Sequence, residues 1–192
     1  MRASAATYVE AQGWDELVVA TGRPHILQSA AWAQLKAATG WQAQRFVLED
    51  SRGSVRHGVA QVLTKRLPLG ITIAYAPRGP LVEADHLAEA IAALRDALAR
   101  QRCASLLCDP EVPGNDELAA GLRQAGIRRS PIFVQPRRTL LMDLTREPDD
   151  LLAAMRKKTR QYIHKAERAG VVTEETTDLA RFLRVLAAVG AR

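Results

Sequence analysis

Two cysteines in 192 residues leave little room for redox or metal chemistry. Cys103 and Cys108 have four residues between them and no second pair elsewhere, so neither a zinc knuckle nor a thioredoxin-type centre is supported. On a strand they would face opposite sides. The four histidines, His25, His57, His86 and His164, are dispersed without metal-ligand spacing, and no metal site is expected. No apolar run approaches the ~18–20 residues of a membrane span, and the N-terminus MRASAATYVEAQGWDELVV lacks the continuous apolar core of a signal peptide. These absences predict a cytoplasmic protein. Low-complexity tracts, internal repeats and disordered tails are missing as well.

What remains is ordinary globular composition, 47% apolar and 25% charged, with enough length for one large domain or one domain plus part of another. The net charge of +6 and a pI near 9.8 point to an anionic partner: nucleic acid, a nucleotide-linked substrate or an anionic headgroup. That charge is localised. From Arg156 to Arg168 there are six basic residues, Arg156, Lys157, Lys158, Arg160, Lys165 and Arg168, against the single acid Glu167, which leaves +5 in one segment. The surrounding pattern predicts a buried strand over Thr139–Leu144 and one long helix from Pro148 to Gly170, with Leu151, Leu152, Met155, Thr159, Tyr162, Ile163 and Ala166 on its apolar stripe. The cationic face is then either a solvated helix surface or a phosphate-binding surface.

In chain order the pattern predicts helices over Trp14–Ala20 and, capped by Ser29, through Lys36 to a stop at Gly40. Strands follow over Gln44–Glu49, Val55–Arg66 (with its alternation broken at Gly58) and Ile71–Tyr75. A helix in ADHLAEAIAALRDALARQR, a strand in CASLLCD, a helix over Asn115–Ala125 and a last strand over Ile132–Gln135 complete the set. This order matches the core of the acyl-CoA N-acyltransferase (GNAT-like) fold, an α/β (α+β) mixed sheet flanked by helices. The segment at the place where that fold grips acyl-CoA pyrophosphate, APRGPLVEADH, has only Gly79, and Pro80 removes an N–H donor. A CoA loop is therefore absent and a CoA-dependent acetyltransferase is disfavoured. After Pro136 a second unit begins: a strand, the basic helix, a short strand at Val171–Glu175 and a helix over Asp178–Val189. The expected division is 1–137 for a first GNAT-like domain and 138–192 for the incomplete start of a second. A C-terminal truncation, and little activity for the 192 residues alone, are the expectations that follow.

The segments HILQSAAWAQLK, AYAPRGPLV, LLCDPEVP, QPRRTLLMDL and RKKTRQYIHKAERAGV, in this order, resemble the FemABX family of aminoacyl-tRNA-dependent peptidyltransferases, which build peptidoglycan interpeptide bridges. The resemblance implies two GNAT-like domains around a substrate cleft. It also implies transfer of an amino acid from aminoacyl-tRNA to the stem peptide of a muramyl-peptide precursor, nucleotide- or lipid-linked. Aminoacyl-tRNA is then a co-substrate and no cofactor is needed, while peripheral contact with the inner membrane surface is implied for a lipid-linked acceptor.

Carried over by position, Lys36 matches a lysine on the precursor diphosphate, with Trp32 one turn earlier as core or stacking platform. Asp109 matches a strand-end aspartate discussed as a base. Its rival role is an Asp-Pro turn-former, and Arg78 and Glu111 are secondary cleft residues. The basic helix is implied to meet tRNA phosphates. Two other readings stay open: a non-catalytic RNA- or nucleotide-binding GNAT-like module, and an N-acyltransferase acting on another cell-envelope substrate.

Overall fold

The structure, a computed structural model, describes residues 1–136, 138 and 140–190, with Tyr8 and Val9 described by their backbone only. It divides into two compact units, Met1–Arg138 and Thr139–Arg192.

The first unit is built on a mixed sheet of six strands, β1 Arg2–Ala5, β2 Gln42–Glu49, β3 Arg56–Arg66, β4 Thr72–Ala76, β5 Leu81–Val82 and β6 Cys103–Cys108. Their spatial order is β1-β2-β3-β4-β6, with β5 also on β3. All pairs are antiparallel except β4 with β6. Helices α1 Tyr8–Gln12, α2 Trp14–Ala20 and α3 Ala30–Ala37 precede β2, α4 Leu87–Ala99 crosses over to β6, and α5 Asp116–Gln124 follows it. An antiparallel meander, a crossover helix and a strand returning parallel beside β4 make this the mixed, GNAT-like sheet that the element order predicts.

Periodicity explains both faces. Leu87, Ala90, Ile91, Leu94 and Leu98 recur at helical spacing on α4 and pack on Phe46, Leu48, Ala60, Val62, Ala74 and Ala76, which alternate along β2, β3 and β4. On the other face Trp14 and Val18 of α2 meet Val59 and Leu81. Strand β3 is therefore covered on both sides and buried from Gly58 to Thr64. Its alternation breaks at Gly58 because β5 arrives there: a Cβ on Gly58 would lie 2.0 Å from the Leu81 carbonyl oxygen.

Helix caps follow the sequence. The Ser29 hydroxyl accepts from the Trp32 N–H at 3.2 Å to open α3, and the Asn115 amide accepts from the Leu118 N–H at 2.7 Å to open α5.

Neighbouring β3 residues pair with two different strands: Gly58 and Val59 with β5, and Leu63 to Arg66 with β4. Between them, the side-chain amide of Gln28 takes the place of a strand. Its Oε1 accepts from the Gln61 N–H at 2.7 Å, and its Nε2 donates to the carbonyls of Gln61 (3.1 Å) and Pro77 (2.7 Å). Gln28 is fully buried, and its own carbonyl accepts from the Trp14 indole at 2.7 Å. A Cβ on Gly79 would come within 2.7 Å of that amide.

Several expectations need correction. The chain opens with a strand, β1, which the small residues of RASA did not announce; it is held by its ladder to β2 and by Arg2 against Glu49 at 3.0 Å. The strand expected over Ile132–Gln135 is absent: the segment lies between Pro131 and Pro136, each without an N–H to donate, and its apolar side chains are exposed.

In the second unit no strand forms among the described residues. The expected buried strand over Thr139–Leu144 (Thr139 lying outside the described residues) has Leu140, Leu141 and Leu144 exposed, and the expected strand at Val171–Glu175 is irregular with Val171 and Val172 exposed. β-Propensity reports packing on a sheet, and the described residues of the second unit form none among themselves.

The expected single helix is two, α6 Pro148–Ala154 and α7 Lys157–Arg168, because Met155 and Arg156 adopt extended backbone with ψ of 154° and 144°. The Arg160 guanidinium closes the break by donating to the carbonyls of Ala153 and Met155. Leu151, Leu152, Met155, Ile163 and Ala166 remain half-buried, whereas Thr159 and Tyr162 of the expected stripe are exposed. A last helix, α8 Leu179–Gly190, ends the described chain.

Replacing Gln28 by Leu strands the Gln61 N–H and the carbonyls of Gln61 and Pro77 in a dry interior. The expected loss is about 3 kcal/mol of unfolding free energy or more, read from urea denaturation of the full chain.

Candidate active site

Parallel β4 and β6 end side by side, Ala76 opposite Cys108, so the turns that follow them meet. This is where open α/β sheets place ligands. The residue after β6, Asp109, accepts from the Tyr75 hydroxyl at 2.9 Å with one carboxylate oxygen and from the Arg78 N–H at 2.6 Å with the other. The Tyr75 oxygen in turn accepts from Gln135 Nε2 at 3.3 Å. Arg78 sits in left-handed backbone at φ 53°, a conformation that costs a non-glycine residue about 1 kcal/mol or more. Two bonds hold it there: its N–H on Asp109, and its guanidinium on the Pro136 carbonyl at 3.0 Å.

A cleft of about 210 Å³ opens beside this clamp, lined by Arg23, His25, Arg78, Leu81, Glu111 and Val112 among others. Asp109 stands behind its wall, half-buried, and reaches it through the Arg78 backbone. Arg23 is tied bidentately to Glu83, at 3.0 and 2.7 Å. His25 has its Nδ1 accepting from the Leu27 N–H at 3.1 Å, so Nε2 carries the proton of the neutral ring and faces Glu111 at 3.9 Å.

Burial holds the His25 pKa below its ordinary 6.5 and Arg78 adds to the depression, while the carboxylates of Glu111 and Asp109 oppose it. Burial likewise raises the Tyr75 phenol and pushes the Cys108 thiol up to about 12, which removes thiolate chemistry from this end of the sheet.

Arg78, Asp109 and Glu111, singled out from sequence, are thus brought together. Lys36 and Trp32 do not line this cleft; they stand one turn apart on α3, in an aromatic cluster with Trp41. The Lys36 ammonium is 6.0 Å from the Trp32 ring centroid and 5.7 Å from that of Trp41, and Lys65 reaches Trp41 at 5.7 Å while donating to the Thr39 carbonyl. The Trp32 indole nitrogen is buried and has no hydrogen-bond partner among the described residues. Of the six basic residues of the second unit, Arg156 is the N-cap of α7, Lys157, Lys158 and Lys165 are exposed, Arg160 is engaged on carbonyls at the α6–α7 break, and Arg168 donates to the His164 carbonyl at 3.1 Å.

Sequence reasoning missed His25, Tyr75 and Gln28. Gln28 and His25 both lie in the HILQSAAWAQLK segment, where a polar residue before a helix cap reads as surface. Among the described residues no group of three or more His, Cys, Asp or Glu side chains is arranged to hold a metal ion, and no helix is long and apolar enough to cross a membrane.

Comparison with known proteins bears on this arrangement. Residues 9–126 match the FemAB family. Lipid II:glycine glycyltransferases of Staphylococcus aureus, from strains MRSA252 and USA300, are each 29% identical over 183 positions, spanning 88% of this chain and 43% of their own length. The chain therefore spans less than half the length of these curated relatives. The crystal structure of FemX superposes with a TM-score of 0.66 at 24% identity, over 91% of this chain and 52% of that one, and so shares its fold.

Because the His25 pKa is depressed, the folded state binds fewer protons at this ring than the unfolded chain does. Its contribution is fully present above pH 6.5 and is lost as pH falls through the lower folded value. An NMR titration is expected to place His25 below 6.5, and Glu111→Gln, by removing an opposing charge, is expected to lower it further.

Proposed function

Because the chain belongs to the FemAB family, we propose that its protein is an aminoacyltransferase, moving an amino acid from aminoacyl-tRNA to an amine on the stem peptide of a peptidoglycan precursor in the cytoplasm. The observation that supports this most is the clamp of Tyr75, Arg78 and Asp109 at the ends of β4 and β6, opening on a cleft that carries both charges.

In this reaction the amine attacks an ester carbonyl. The ammonium must first lose a proton, the reactants must be held together, and the oxyanion must be met by donors. We assign the proton to Asp109. Two of its roughly four lone-pair directions are taken by Tyr75 and Arg78, which fixes the carboxylate behind the cleft wall, so the proton of the amine would reach it through one bridging water. Arg78 and Glu111, at the cleft wall, would orient the stem peptide. Lys36, a mobile point charge beside Trp32 and Trp41, would take the diphosphate of a nucleotide- or lipid-linked precursor, the latter implying contact with the membrane surface. Arg156, Lys157, Lys158, Lys165 and Arg168, with Arg160 anchoring the helix that carries them, would meet tRNA phosphates.

An aminoacyl ester, and not an acyl-CoA, would be the donor because the 77–80 turn offers no row of amides. The Arg78 N–H is on Asp109, the Gly79 N–H is on the Ala76 carbonyl at 3.2 Å, and Pro80 has none. A second reading, RNA binding without chemistry, draws on the +5 of the Arg156–Arg168 segment alone.

Labelled aminoacyl-tRNA incubated with a muramyl-pentapeptide acceptor and the protein as expressed from its own locus is expected to label the acceptor. Asp109→Asn should lower kcat by about 10²-fold or more with little change in KM. Lys36→Met should raise the KM for the acceptor and leave kcat nearly unchanged. Full turnover by the Asp109→Asn protein removes that residue from the chemistry, and transfer only from acetyl-CoA removes the aminoacyl reading altogether.

A further inference from the structure

His25 lines the cleft, yet one of its ring nitrogens belongs to the fold. It is the N-cap of the short 3-10 turn Ile26–Gln28: its Nδ1 accepts from the Leu27 N–H at 3.1 Å, and its carbonyl accepts from the Gln28 N–H at 2.9 Å. That turn is what delivers the buried Gln28 amide to Gln61 and Pro77. The residue after Pro77 is Arg78, whose strained backbone is held by Asp109. One side chain therefore stands at the head of a chain of contacts that ends in the clamp.

Nδ1 accepts only while the ring is neutral. An imidazolium carries hydrogens on both nitrogens, so a protonated ring would aim an N–H at the Leu27 N–H and the cap would be lost. A partner for the charged ring stands close by: a Glu111 carboxylate oxygen is 3.9 Å from Nε2, beyond hydrogen-bond reach while the ring caps the turn. The same residues thus define two arrangements of His25, and a proton chooses between them.

The charged groups around the ring come from four places. Glu111 and Asp109 follow β6, Arg78 lies in the turn after β4, and Arg23 is two residues earlier, bound to Glu83 beyond β5. Burial, with Arg78, holds the ring below 6.5 against the two carboxylates, so the capping form prevails at neutral pH and gives way in a window below 6.5.

We propose that His25 is a proton-sensitive latch: the neutral ring fixes the turn that carries Gln28, and the imidazolium releases it for Glu111, so that acid loosens the Arg78–Asp109 clamp while the sheet stays folded. The latch does not depend on what the cleft transfers.

Two backbone amides report it, Leu27, which donates to the ring, and Gln61, which donates to the Gln28 side chain. Their hydrogen exchange in the full chain, corrected for the chemical rate at each pH, is followed by NMR from neutral pH down to about 5. Protection of both is expected to fall by about 2- to 30-fold, the worth of one N-cap, along the His25 titration read on the same samples, while the β2 amides in the ladder with β3 keep theirs. His25→Asn, which caps without titrating, is expected to stay protected throughout, and His25→Phe, which cannot cap, to be weakly protected at every pH. Glu111→Gln is expected to move the fall to lower pH together with the ring's titration. Gln61 protection that stays level through the His25 titration, or falls equally in His25→Asn, overturns the latch. Loss of the β2 amides in step with Gln61 assigns the acid effect to global unfolding and overturns it as well.

Discussion

One side-chain amide decides how the first unit is put together. β3 hands its partner over from β5 to β4, and the handover leaves the N–H and carbonyl of Gln61 without a strand to meet them. Unpaired, these groups would each cost on the order of 1–3 kcal/mol in a buried strand. Gln28 answers both and the Pro77 carbonyl besides, so a loop residue from the front of the chain fixes where the turn after β4 begins. The left-handed Arg78 follows directly, its N–H on Asp109. The site is thus a consequence of a hydrogen-bonding problem in the middle of the sheet.

Around that amide the network widens in a consistent way. The Gln61 side chain donates to the Ser29 carbonyl and accepts from Arg45, while Arg45 donates to the Ala11 carbonyl and lies 5.3 Å from the Trp14 ring centre. Each buried polar group here has its partner, which is the condition under which such networks specify one arrangement instead of loosening the core. The helix α3 is seated by the same contacts, and with it Lys36 at its last turn.

Much of this was legible in the sequence wherever periodicity and punctuation carry the information. α4 announces itself through Leu87, Ile91, Leu94 and Leu98, α3 through the Ser29 cap, and β3 through an apolar run interrupted at Gly58. Asp109 and Arg78 were reached through the family resemblance carried by LLCDPEVP and AYAPRGPLV, while the residue pattern alone left Asp109 equally readable as an Asp-Pro turn-former. Gln28 and His25 were not reachable in the same way, since their roles come from partners 33 to 86 positions away in the chain. The second unit shows the opposite failure. Leu140, Leu141, Val171 and Val172 have the residue types of strands, but pairing is a property of two segments, and no strand forms among the described residues of the second unit. The break at Met155 escaped because nothing in its residue type forbids a helix; what ends α6 is a guanidinium five residues further on.

The division of the chain also has an optical side. All three tryptophans, Trp14, Trp32 and Trp41, belong to the first unit, and the second carries Tyr162 as its one tyrosine. Light absorbed at the red edge by indole alone therefore observes the Gln28 network and the Lys36 cluster without any signal from the basic helix, whereas amide circular dichroism sums over both units. If the two units unfold as separate cooperative bodies, these two spectroscopies will not superimpose, and their difference isolates the unit that contains no indole at all.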